Sequence, residues 1–376
     1  MRARTARVGL TLVELVLAIG LLSLLMLAVF QLFDRSISVW RRGETRRALL
    51  EQASVVLESL SIDLAGLEPG TQGDFLLEWV RFDTDGDGLP ETKWPRLRLV
   101  RQASGAEMAR AAAGGLVALE KATESAETNA VAREPVLFPT ANPGLLEVVW
   151  TIQPASLTQP EARVEGVIYR GERPTTELSS KSFLASDFFG ASHRPPAGAT
   201  DEVTGGLLWM SILCAGQTSV VNDGWRLGDA LDTVATSWDA HGRGRANRDA
   251  HPFNEPHVGQ PKAKGRALIP RRVRIELEFE RPVDRLRRTK LVQAIDNQEG
   301  LLQVDDGRRV PTEKGSYVLV DAEWMQITSI DDGRVTVRRA QRGTTAAPHA
   351  GGAMVHWGTA LSREVTVATY REDWNL

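Results

Sequence analysis

From Gly9 the chain runs Gly9-Leu10-Thr11-Leu12-Val13-Glu14-Leu15 and stays apolar to Phe33, interrupted only by Gly20, Ser23 and Gln31. At about 1.5 Å of helix per residue, such a run is long enough to cross a hydrocarbon core of about 30 Å. In lipid a backbone must satisfy its own hydrogen bonds, so a lone segment of this kind is a helix. Yet Glu14 stands at the fifth position of the run that starts at Leu10. A carboxylate inside a membrane segment costs about 2.5–3.5 kcal/mol on insertion scales, so a positive partner is expected to neutralise it. A secretory signal peptide has an apolar core of only about 7–15 residues followed by a small-residue cleavage site. Here the run is longer, and Asp34-Arg35-Ser36-Ile37-Ser38 offers no such site. A plain anchor explains the length and leaves Glu14 unexplained.

A basic leader ending in Gly9, an apolar Leu10 and Glu14 at the fifth position together resemble the signal of prepilins and type II secretion pseudopilins. The resemblance implies cleavage after Gly9 by a prepilin peptidase and N-methylation of Leu10. It also implies that Glu14 pairs with the terminal ammonium of a neighbouring protomer during assembly. The family usually carries Phe where this chain has Leu10, a departure that bears on methylation more than on cleavage. Orientation is contested by charge: Arg2, Arg4 and Arg7 precede the segment, but Arg35, Arg41, Arg42, Arg46 and Arg47 follow it. The arginine count opposes an N-terminus-in topology. The resemblance implies the reverse: a single pass through a bacterial inner membrane, with the C-terminal domain in the periplasm.

Past the apolar run, Leu49, Ala53, Val56, Leu60, Leu64 and Leu67 recur three or four apart, which predicts that the helix continues over 34–68 with one apolar stripe. Gly66 and Pro69-Gly70 are its stop signals. The stretch Leu57-Glu58-Ser59-Leu60-Ser61-Ile62-Asp63-Leu64 is similar to that of the minor pseudopilin J family. The fold expected is therefore α+β and type IV pilin-like: leader 1–9, membrane half-helix 10–33, amphipathic half 34–68, and an antiparallel β domain over 69–296. The remaining parts are an inserted β-rich module, 297–358, and a final strand in 359–376.

Within the β domain, Phe75–Phe82, Arg96–Arg101, Leu145–Gln153 and Arg163–Arg170 are expected strands. Leu207–Ala215 is apolar and too short to assign between strand and helix start, and Ala103–Glu134 is either a short helix or an irregular excursion. Ser237–Arg266 is polar and rich in turn formers, a predicted loop. Ile269–Phe279 alternates apolar and polar residues, predicting a half-buried strand after Pro270. This proline-then-strand pattern resembles the late strands of the J pseudopilins, with Ser362–Tyr370 as the partner strand. The family joins these two strands briefly; here roughly 80 residues intervene. Gly315–Ile330, Val335–Arg339 and Met354–Trp357 are short strands within that insertion. Its Arg339-Ala340-Gln341-Arg342-Gly343-Thr344-Thr345-Ala346-Ala347-Pro348-His349 resembles a motif of small β modules in phage tail and surface proteins. His349 has no partner evident in the sequence.

Composition excludes some functions. Net charge is −3 and becomes −6 on loss of the three leader arginines, with no clustered positive excess of the kind that nucleic acid demands. The one cysteine, Cys214, lies in an apolar stretch and is expected to be a buried small hydrophobe. Arg271-Arg272 and Arg285, Arg287 and Arg288 form local basic patches, expected at solvated strand ends. Asp83, Asp85 and Asp87, with Glu91 and the Leu89 carbonyl, form a candidate calcium cage, since Ca²⁺ takes six to eight oxygens. An EF-hand is excluded because Trp94 stands where its twelfth-position Glu belongs, and an acidic hairpin turn accounts for the same residues. His241, His251 and His257 with Asp239, Asp249 and Glu255 lack metal-ligand spacing and belong to a solvated loop. No nucleophile elbow, P-loop or dinucleotide fingerprint occurs.

These readings favour a structural, non-enzymatic protein with no required cofactor. By the resemblance its partners are the prepilin peptidase, the tip pseudopilins I and K, and the major pseudopilin of the filament. The minor pseudopilins H and I stay open as identities. So does a minor pilin or tip adhesin of a type IV pilus, with 297–358 as its ligand module. A membrane-anchored zinc hydrolase using the histidine loop is a third class.

Overall fold

The computed structural model describes residues 12–83, 92–111, 144–155, 164–175, 181–190, 193–216, 234–243, 265–280, 288–311, 315–331, 333–370 and 373. The chain divides into two units, 1–51 and 52–376, to both of which helix α1 (Leu12–Ala65) contributes.

In the first unit, Leu15–Ile37 forms a 23-residue helical span of mean hydropathy 2.6, with none of it buried. Leu21, Leu25, Phe30 and Leu32 are all more than half exposed. A helix apolar on every side has no stable place in water, and this one is long and apolar enough to cross a membrane. Its Ser23 hydroxyl is satisfied within the helix, donating to the Ile19 carbonyl at 2.9 Å.

The second unit holds the last turns of α1, where Ala53, Val56, Leu60 and Leu64 are fully buried, the stripe that the three-to-four spacing predicts. The helix stops at Gly66, whose N–H donates to Ile62 O at 3.0 Å. A Cβ there would meet the carbonyls of Ile62 and Gln102 at 3.4 and 3.5 Å, ordinary van der Waals contact, so space alone does not demand glycine at this stop.

The large sheet contains β1 (Phe75–Phe82), β2 (Thr92–Ala103), β3 (Gly144–Pro154), β4 (Gly166–Pro174), β5 (Asp201–Ala215), β6 (Val234–Ala235), β7 (Trp238–Asp239) and β8 (Arg272–Phe279). A six-stranded sheet follows: β9 (Thr289–Lys290), β10 (Leu301–Gln303), β11 (Tyr317–Val320), β12 (Glu323–Asp331), β13 (Arg334–Gln341) and β14 (Met354–His356). The chain then returns to the large sheet as β15 (Thr359–Thr366). The order in the large sheet is β15-β8-β5-β4-β3-β2-β1-β7, with β6 beside β5, and every pairing is antiparallel. The second sheet runs β10-β13-β12-β11-β14-β9, and a Leu291–Val304 bridge joins its two outer strands. That closes it around Leu302, Val318, Val320, Met325, Val335 and Val355, and closure removes the open edges of a small sheet.

β8 and β15 lie side by side from Phe279↔Thr359 to Arg272↔Thr366, so the module leaves and re-enters between adjacent strands. Tethering both ends at neighbouring points makes a long insertion thermodynamically tolerable. Gly358 is required at the re-entry, because a Cβ there would lie 2.6 Å from the Phe279 carbonyl oxygen.

The strand pairings refine some expectations and decide others that the sequence left open. The module's sheet begins at Thr289, ahead of 297, because Leu291 and Ile295 belong to its core. The predicted loop over 237–266 contains β7, where Trp238 is fully buried and its indole donates to Leu268 O at 2.8 Å. Leu207–Ala215 is strand, extended back to Asp201 by pairing with β4. In Ala103–Glu134, residues 105–111 are helical and 112–134 lie outside the described residues.

Candidate functional site

Of the assembly residues, Gly9 and Leu10 lie outside the described residues, and Glu14 falls within α1 just before the apolar span. Of the calcium candidates, Asp85, Asp87 and Glu91 lie outside the described residues. Asp83 follows the last pair of the β1–β2 hairpin, Phe82↔Thr92, and is exposed. Among the described residues no group of three His, Cys, Asp or Glu side chains is placed to hold a metal ion. In the histidine loop, His241 Nε2 lies 3.0 Å from the Gly73 carbonyl. Asp239 accepts from Arg243 at 2.9 Å. His251, His257, Asp249 and Glu255 lie outside the described residues. Cys214 is fully buried, and burial pushes its thiol pKa far up, which makes it an inert core residue.

Two buried carboxylates missed by sequence reasoning organise the β unit. Asp63, in the last turn of α1, is 1% exposed and lies against three strands. It accepts from Trp150 Nε1 of β3 at 2.8 Å and from Arg170 Nε and Nη2 of β4 at 2.9 Å. It also pairs with Arg101 of β2 at 2.9 Å. Burial disfavours the Arg170 cation, but Asp63 and Glu172 outweigh that and raise its pKa.

Glu323 performs the equivalent task in the module. Its carboxylate accepts from Arg339 Nε at 2.7 Å and Nη2 at 2.6 Å, from the backbone N–H groups of Ala340 and Ala347 at 2.9 and 3.0 Å, and contacts His349 Nε2 at 3.0 Å. Burial alone would raise its pKa; these contacts outweigh it and hold Glu323 at about 2. His349 therefore has partners after all, with Asp321 on Nδ1 at 2.7 Å. Arg339 also caps the carbonyls of Asp296, Glu299 and Ala347, which explains why the Arg339–His349 motif carries these residue types. The signal was present: an Arg, a turn and a His, waiting for a buried acid.

Where the module meets the large sheet, Arg342 is the hinge pin. Its guanidinium stacks at 4.2 Å over Trp209 of β5, 4.1 Å over Tyr317 and 4.2 Å over Trp324, and it pairs with Glu278 of β8 at 2.7 Å. Such a planar cation between rings is a role lysine cannot copy. Val164, Leu208, Leu319 and Trp324 form the apolar seam below it. Arg272 and Arg288, expected at solvated strand ends, are instead buried in ion pairs. Arg272 pairs with Glu364, and Arg288 with Glu280 and Glu165. Glu364 and Glu165 come from 92 and 123 positions away, whereas Glu280 lies 8 positions before Arg288. Beside the seam opens a cleft of about 620 Å³, lined by Trp79, Arg81, Lys93, Asp321 and Thr344 among others.

The class these features define is an α+β protein with one N-terminal helix able to cross a membrane, an antiparallel sheet domain and a small closed β module. Comparison with protein-family models, curated proteins and solved structures finds no match.

Proposed function

We propose that this chain is a structural minor pseudopilin of a type II secretion system, most like the J pseudopilin, assembling at or near the tip of the periplasmic pseudopilus that drives protein export. The observation that carries the reading is Glu14 at the fifth position of an apolar run opened by Gly9-Leu10. An anchor has no use for a carboxylate there, whereas a filament protein uses it to choose register against a neighbour's N-terminal ammonium. A single apolar helix belonging to the same α1 that ends on a β-sheet supports it further. On this reading the inner membrane stores the apolar span, and prepilin peptidase frees Leu10. Burial of helix against helix then holds the filament while the β unit meets the tip pseudopilins I and K and the major pseudopilin in the periplasm.

Intact mass and N-terminal sequencing of protein extracted from membranes test the class: the expected chain begins at a methylated Leu10. A chain still starting at Met1 in a cell with active peptidase overturns it. Glu14→Ala is expected to be cleaved normally and to enter filaments at least tenfold less than the parent. The minor pilin or tip adhesin of a type IV pilus shares these outcomes, and is separated from a pseudopilin by loss of secretion, rather than of adhesion, on deletion.

A further inference from the structure

The arginines that follow the apolar span have no part in the proposed function. Residues 34–47 hold Arg35, Arg41, Arg42, Arg46 and Arg47 against Asp34 and Glu44, a local charge of +3 in a chain whose total is −3. All lie on the continuous helix α1, close to Ile37, where the apolar span ends. At about 1.5 Å per residue, position 41 stands about 6 Å past that end and position 47 about 15 Å, a stretch that covers the headgroup layer of one leaflet. Helical periodicity places positions 35, 42 and 46 along one side of α1, and positions 41 and 47 on two others. A helix lying flat on a membrane keeps its charges on one face, whereas one passing upright through the headgroups meets them all round. The arginines have the second arrangement.

Two further observations point to the partner. Trp40 lies three residues past the span and is 68% exposed, where an indole enters the boundary between hydrocarbon and headgroup. Arg47 pairs with Glu51 at 2.8 Å, but both side chains are exposed and the pair is weak. The second observation is orientation. Arginine count would put this cluster on the cytoplasmic side, so in the proposed orientation it stands at the outer leaflet, where insertion has no use for it.

We infer that this collar binds the phosphodiester headgroups of anionic lipids and gathers them round the helix as it leaves the bilayer. A guanidinium matches two phosphate oxygens at once, which suits arginine here better than lysine. The attraction of anionic headgroups falls off within a Debye length of about 8 Å, so Arg35, Arg41 and Arg42 bear most of it. The lipid then fixes the depth of the helix until assembly draws it out. Headgroup binding needs only a helix that crosses a membrane; the drawing-out alone rests on the pseudopilin reading.

The test places the full chain in phosphatidylcholine vesicles with a trace of spin-labelled lipid, and compares how strongly phosphatidylglycerol and phosphatidylcholine are immobilised at the protein. Phosphatidylglycerol is expected to associate about threefold or more tightly, with parity approached in about 1 M salt, where charges are screened within about 3 Å. Arg35→Gln, Arg41→Gln and Arg42→Gln together, with the parent's helix content, are expected to lower the preference about twofold or more. The leader arginines are common to parent and variant, so that difference belongs to the collar. Equal association of the two lipids, a preference indifferent to salt, or an unchanged preference in the triple variant overturns the assignment. Loss of the preference in excess inorganic phosphate at constant ionic strength also overturns it, because the arginines then serve a free ion. None of these results alters the N-terminus found by sequencing, so the two readings fail separately.

Discussion

Asp63 and Glu323 are both carboxylates 1% exposed and clamped by arginine, yet they are assembled in opposite ways. The partners of Asp63 come from three strands, and Trp150 and Arg170 are 87 and 107 positions away in sequence. The partners of Glu323 lie within 16 to 26 positions, and two of its hydrogen bonds come from the backbone N–H groups of Ala340 and Ala347. The first device reports that the large sheet has closed correctly over α1. The second is a local staple that folds with its own module. Removing one partner of a buried ion pair costs far more than the pair contributes, because the remaining charge stays desolvated.

That contrast can be broken most sharply at Asp63. Asp63→Asn leaves Arg101 and Arg170 short of a counter-charge and is expected to cost about 3–5 kcal/mol, measured by denaturant unfolding of the full chain in detergent. A loss below about 1 kcal/mol would mean that Glu107 and Glu172, which also contact these arginines, take over.

The next effect is a pH dependence. The folded pKa of Glu323 is depressed from 4.5 to about 2, so its stabilisation is complete above pH 4.5 and is lost as pH falls through 2. At most about 3 kcal/mol is at stake, and solvent screening reduces it. Glu280 behaves likewise: burial raises its pKa, but Arg288 and His356 hold it at about 2. Acid unfolding followed by hydrogen exchange in β12 and β13 is expected to show the loss between pH 4.5 and 2. Glu323→Gln should remove its share of that dependence and leave the share of Glu280. An unchanged acid limb in the variant would show that the staple titrates elsewhere.

The smallest effect sharpens where the staple ends. Asp321 bonds His349, but its side chain is 60% exposed, so Asp321→Asn is expected to cost less than about 1 kcal/mol by the same unfolding assay. A cost near that of Glu323 would extend the buried network to the surface.

Legibility followed the same divide. The limits of β1 at Phe75 and Phe82 were visible because an apolar run lies between clear turn residues. The stripe through Ala53, Val56, Leu60 and Leu64 was visible because helical periodicity is local. Asp63 was passed over as one polar residue on a helix, since nothing nearby shows that Arg101, Trp150 and Arg170 converge on it. Trp238 was hidden in a polar segment because only the β1 pairing draws it inward. His349 showed its motif but not its acid, since Glu323 lies on β12, 26 positions earlier.

By itself the sequence determined the apolar helix and its carboxylate, the antiparallel texture that follows, and the presence of an insertion before the last strand. These depend on periodicity, length and local turn chemistry, which act over a few residues. The tertiary structure alone decided where the insertion begins, which carboxylates are sealed, and that Arg342 joins the two sheets with a cleft beside it. Those depend on strand order and register, which bring residues a hundred positions apart within 3 Å and are set only when the whole sheet forms.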